Sequence, residues 1–102
     1  MSDGTEGLES DALWRPAIDA LAFHPAGHEG ICAVHRLAFR ALLGRAGTPA
    51  DCLAYFAERR PAFERAAAAK IARRGLGGAA NLHLTSRDVA RALDATPNGR
   101  PP

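Results

Sequence analysis

A proline in the middle of an otherwise helical run restricts this chain more than any other residue. Pro61 sits in GTPADCLAYFAERRPAFERAAAAKIARRGLGG. Leu53, Phe56, Phe63, Ala67 and Ile71 fall on one stripe at helical spacing, and the alanines of AAAAK are the strongest helix formers. Thr48 suits the N-cap, Pro49 the first helical position, and Asp51 completes a pattern resembling a capping box. Pro61 cannot donate to the carbonyl of Ala57 and its ring crowds that carbonyl, so the element must kink or restart near Arg60. The glycines of GLGG end it.

A chain of 102 residues holds one domain, and a long amphipathic helix needs a second layer to cover its stripe. AIDALAF puts Ile18, Ala20 and Ala22 on one parity, with Leu21 and Phe23 on the other. PAGHEG supplies turn residues and ICAV the β-branched run of a second strand, which together predict a hairpin. From His35 the period becomes helical through Leu37, Ala38, Ala41 and Leu42, with Gly44 as C-cap, predicting a helix over 36–43. Leu82 and Leu84 alternate with His83 as a third strand. Thr85 or Ser86 then caps a last helix with Asp88 near its positive end and Val89, Ala92 and Leu93 toward the core. The expected fold is α+β: a small antiparallel sheet of about three strands packed by a long kinked helix. Its elements run β-hairpin, two helices, strand, short helix. The domain spans 14–95, with a mobile acidic segment at 1–13 and a mobile tail at 96–102.

The formal net charge of +2 conceals an asymmetry. Residues 1–35 carry one arginine against six acids, whereas residues 36–74 carry nine basic residues against three acids. Such halves can neutralise each other within the fold or leave a basic surface for nucleic acid. No apolar run approaches the roughly 20 residues that span a bilayer. The acidic start is the opposite of a secretory leader, and two cysteines make no disulfide framework, so a cytoplasmic location is expected. Much of the apolar content is alanine, which buries little area, so stability should be modest and a homodimer would add to it.

Trp14, LAF, Gly30, ICAV, LLG, YFAERRPAFE and LTSRDV follow one another over residues 14 to 93. In this order they resemble the small bacterial family named domain of unknown function fourteen-eighty-eight. The chain departs from that pattern at His35, where a serine-like cap is expected, and at Phe63, where an aliphatic residue is expected. The resemblance implies a fold and no activity, cofactor or substrate.

Three groups of residues could carry chemistry. Arg60 lies four residues after Phe56 and three before Phe63, beside the apolar stripe, where an unpaired guanidinium is costly. Glu64 and Asp88 are its candidate partners, either in a structural ion pair or in an anion site. Arg59, Arg65, Lys70, Arg73 and Arg74 form a basic helix face, solvated or in contact with nucleic-acid phosphates. His24, His28, Cys32 and His35 crowd one short run, but in a turn and strand Cys32 and His35 point to opposite faces. Their spacing matches none of the paired zinc patterns, so no metal is expected; His24, His28 and Cys32 are the residues from which one would be built. Cys32 is expected to be a buried small residue. GLGG follows a helix instead of leading from a strand into one, and no nucleophile is set beside a base. The expectation is a non-enzymatic interaction module with an unknown protein partner, without cofactor. The alternative is a nucleic-acid-associated accessory protein.

Overall fold

The computed structural model describes residues 12–94; positions 1–11 and 95–102, which hold most of the two expected mobile ends, lie outside the described residues. Four short strands form one sheet in chain order: Leu13–Arg15 (β1), Ala20–Phe23 (β2), Cys32–His35 (β3) and Leu82–Leu84 (β4). Helices Arg36–Leu43 (α1), Pro49–Glu58 (α2) and Arg60–Arg74 (α3) lie between β3 and β4, and Ser86–Asp94 (α4) follows. The fold is α+β, as expected, but the sheet has one strand more and is mixed. β1 pairs antiparallel with β2 and β2 with β3, whereas β4 runs parallel to β3, with Cys32 opposite Leu82 and Val34 opposite Leu84. The parallel pairing follows from the path: three intervening helices form a crossover that returns the chain in the same direction. β1 escapes a reading by periodicity because three residues before a proline show no period.

A one-turn 3-10 helix at Pro16–Ile18 joins β1 to β2, so extended structure begins at Ala20 and not at Ala17. Asp19 leaves that turn in the left-handed region at φ 54°. Its carboxylate accepts two hydrogen bonds from Arg36 Nε at 2.9 and 3.1 Å, and its carbonyl accepts Arg36 N–H at 2.9 Å. These bonds tie the first turn to the start of α1. His35 caps α1, its Nδ1 accepting from Leu37 N–H at 3.1 Å.

Alternation sends Trp14, Leu21, Phe23, Cys32, Val34, Leu82 and Leu84 to the face that meets Phe39 of α1, Phe56 of α2, Phe63 of α3 and Val89 of α4. The rings form a chain: Phe23 to Phe56 at 4.9 Å, Phe56 to Phe63 at 5.0 Å and Phe63 to Phe39 at 5.8 Å. Each such pair adds about 0.5–1.5 kcal/mol beyond its buried area. Phe63 therefore fills a position that a smaller aliphatic residue would leave open.

The expected long helix is two. Arg59 N–H donates to the carbonyls of Tyr55 and Phe56, both at 3.1 Å, which closes α2, and Arg59 adopts φ −122°, ψ 27°. Pro61 is the second residue of α3, where its missing donor costs nothing. Thr48 and Asp51 form the full reciprocal capping box, and Gly44 and Gly75 end their helices in the left-handed region. Between β2 and β3, Glu29 and Gly30 both donate to the carbonyl of Gly78, at 2.7 and 3.1 Å. A Cβ on Gly30 would collide with the carbonyl of Ala80, so the hairpin glycine is set by close approach of the loop before β4.

Candidate interaction groove

α3 and α4 cross the sheet together, and their register decides which charges are buried. Ala62, Phe63, Ala66, Ala67 and Lys70 point inward from α3. Lys70 is thus not on the basic surface expected for it. It is 7 % exposed and donates from Nζ to Asp88 Oδ2 at 2.9 Å and to the carbonyl of His83 at 2.8 Å. The spacing 63, 67, 70 already places it on the inward stripe, a signal masked by its charge.

Asp88 is the hub of this contact. It forms a capping box with Thr85, whose N–H donates to Oδ2 at 2.9 Å while the Thr85 hydroxyl accepts Asp88 N–H at 3.2 Å. Burial alone would raise the Asp88 carboxyl, but the Thr85 N–H and the Lys70 ammonium more than offset it and hold the group below the ordinary aspartate range. Arg73 stands at 3.7 Å from Oδ1. Asp88 therefore pairs with Lys70, not with Arg60 as its long-range partner.

Arg60 takes the local option. Its Nε donates to Glu64 Oε2 at 3.2 Å, and Glu64 Oε1 accepts Ala26 N–H from the hairpin loop at 2.9 Å. The guanidinium lies over the ring of Phe56 at 5.2 Å and near that of Phe23 at 5.9 Å. Through these contacts the half-buried pair fastens the hairpin to α3. Arg59 donates to the exposed Glu58 at 3.0 Å and stacks on Tyr55 at 4.1 Å, so it stays at the surface but is held by these two neighbours. Arg65, Arg73 and Arg74 remain exposed.

The histidine run is spent on backbone. His28 is buried, with Nε2 at 2.7 Å from the carbonyl of Ala80, and His24 Nδ1 lies 3.1 Å from the carbonyl of Glu29. Cys32 is fully buried in the core, and desolvation pushes its thiol up to about 12. Among the described residues no three His, Cys, Asp or Glu side chains gather as metal ligands.

Over the Lys70–Asp88 pair, α3 and α4 leave a groove of about 350 Å³. Ala66, Ala68, Ala69 and Ala92 line it, with Arg65, Arg73, Asp88 and Arg91 around them. No local pattern singles out Arg91 and the alanines, because what brings α4 beside α3 is the crossing of the two helices. A second hollow of about 420 Å³ lies between the hairpin loop and α3, but its carboxylate, Glu64, is already held by Arg60 and Ala26. No described helix is long and apolar enough to cross a membrane. Comparison with protein-family models, curated proteins and solved structures finds no match for this chain.

Proposed function

We propose that this chain is a small non-enzymatic interaction module that receives a segment of a partner protein between α3 and α4. The observation that carries the reading is the groove itself: an alanine floor with arginines at its edge, its walls joined by the Lys70–Asp88 pair. An apolar depression rimmed by polar groups is the usual form of a protein contact site. Cys32 and Cys52, both buried and unpaired, suit a reducing compartment, which supports a cytoplasmic location. The kinship with family fourteen-eighty-eight is proposed alongside, on the order of its motifs, and it adds no activity.

A photo-crosslinking residue in place of Ala69, on the floor, tests the reading against the same residue in place of exposed Ala57 on α2. The expected outcome is an adduct at position 69 alone, mapped by mass spectrometry to one segment of one protein, a second copy of this chain included. Equal labelling at both positions, or an adduct with nucleic acid, overturns it.

An accessory protein on nucleic acid is the second reading, favoured by the exposed Arg65, Arg73, Arg74 and Arg91. It ranks lower because Lys70 is spent within the fold, Arg59 is engaged by Glu58 and Tyr55 at the surface, and the alanine floor offers phosphates no contact. Retention on DNA or RNA that falls steeply with salt would reverse the order.

A further inference from the structure

The lining of the α3/α4 groove restricts what can fill it, and this step rests on the module reading above. Among the described residues three arginines, Arg65, Arg73 and Arg91, line the groove beside one carboxylate, Asp88, which Lys70 and Arg73 hold. Arg65, Ala69 and Arg73 succeed one another at i, i+4, i+8, so the two arginines are about 12 Å apart along α3. Arg91 stands on the α4 side. Between them the alanines carry nothing beyond Cβ, so the floor has no side-chain donor or acceptor and admits close approach of another backbone.

These features sort the candidate occupants. A phosphodiester strand meets the cations and leaves the apolar floor uncovered. An acyl chain covers the floor but brings one carboxylate to three arginines spread over about 12 Å. An amphipathic helix satisfies both, with small side chains at i and i+4 on the alanines and carboxylates flanking them toward Arg65, Arg73 and Arg91. We infer that the partner segment is an acidic helix with a small-residue face, docking between α3 and α4 as the third helix of that layer.

The probe is an N-acetylated peptide of about 16 residues repeating Glu-Ala-Ala-Ala, long enough to populate helix, with a lysine-for-glutamate version as control. Amide shifts of the full chain are followed by NMR during titration. The glutamate peptide is expected to move amides of 65–73 and 88–92, and the lysine peptide to move none. R73Q/R91Q should weaken binding at least about tenfold, whereas R40Q, at an exposed position of α1, should leave it unchanged. Loss of dispersed resonances would expose a folding failure of the double variant, and R91Q alone then serves, because Arg91 makes no contact with the Lys70–Asp88 pair.

The inference is overturned by no shifts at millimolar peptide, or by equal shifts from both peptides. It is also overturned by tighter binding at the same amides of a duplex of about 20 base pairs, of oleate, or of a peptide MSDGTEGLESD copied from residues 1–11. A neutral or basic partner segment crosslinked at position 69 sinks this inference and leaves the module reading standing. Absence of any crosslink there, with the glutamate peptide still bound, does the reverse.

Discussion

Lys70 occupies a place where the stripe of α3 calls for an apolar side chain, and it is kept there by Asp88 and the carbonyl of His83. A buried ion pair contributes little net stability, yet removing one member strands the other. K70M and D88N should therefore each lower the unfolding free energy in urea by about 3 kcal/mol. In the double variant neither charge remains, and the amide oxygen that D88N introduces still accepts the Thr85 N–H. The double variant should be at least about 1 kcal/mol more stable than the sum of the singles implies; strict additivity would show that the two groups do not act as a pair. The pair also sets a pH dependence. The folded pKa of Asp88 lies below its unfolded value, so its contribution is complete above the ordinary carboxylate range near pH 4. That contribution drains away as pH falls from there through the depressed folded value. The urea midpoint should thus drop more steeply between about pH 5 and pH 2 in the natural chain than in K70M/D88N. Asp51, lowered chiefly by the Thr48 N–H and Arg45, has the same sign and leaves a residual slope in both proteins.

At the scale of elements, α2 and α3 are one continuous sequence pattern and two helices. If Pro61 merely kinked a single helix, replacing it would restore a lost hydrogen bond and stabilise the protein. Its place in the first turn of α3 predicts otherwise: P61A should cost no more than about 1 kcal/mol, mainly through a freer unfolded chain, with unchanged far-ultraviolet dichroism. Proline placed instead at exposed Ala68, inside α3, should cost about 3 kcal/mol or more. A gain of more than about 1 kcal/mol in P61A would contradict the break at Arg59. The same elements show what a sequence displays. Thr48 with Asp51, Gly44, the hairpin and the Leu82–His83–Leu84 alternation are local signals, and each is realised in place. The direction of β4 and the meeting of Arg91 with Arg65 and Arg73 depend on how helices cross, which lies beyond any window of the chain. Lys70 lies between these cases, since its spacing is legible while its charge argues the other way. The Arg60–Glu64 pair is legible as a local contact, but its hold on Ala26 is not.

For the molecule as a whole, the question is whether sheet and helices open together, because the groove keeps its shape only as long as its supports do. Cys32 on β3 and Cys52 on α2 report on this, since both are fully buried in one cluster yet belong to different layers. Only a thiolate reacts with alkylating reagents, and burial raises both groups, Cys32 to about 12. Both side chains are also closed to solvent, so labelling proceeds through opening of the fold. With a single core both openings share one free energy, on the order of 5 kcal/mol or more for a domain of this size. Each thiol should then label on the order of a few thousandfold more slowly than in the unfolded chain. Peptide mapping after iodoacetamide pulses across a urea series measures the two rates separately, and they are expected to fall on one line with the global unfolding curve. Early labelling of Cys52 alone would mean that α2 detaches by itself and that the aromatic chain from Phe23 through Phe56 to Phe63 does not hold the layers as one unit. α3 and α4 would then keep the groove on the Lys70–Asp88 pair and the α3 face of the core, and the loss caused by K70M would grow once α2 had left.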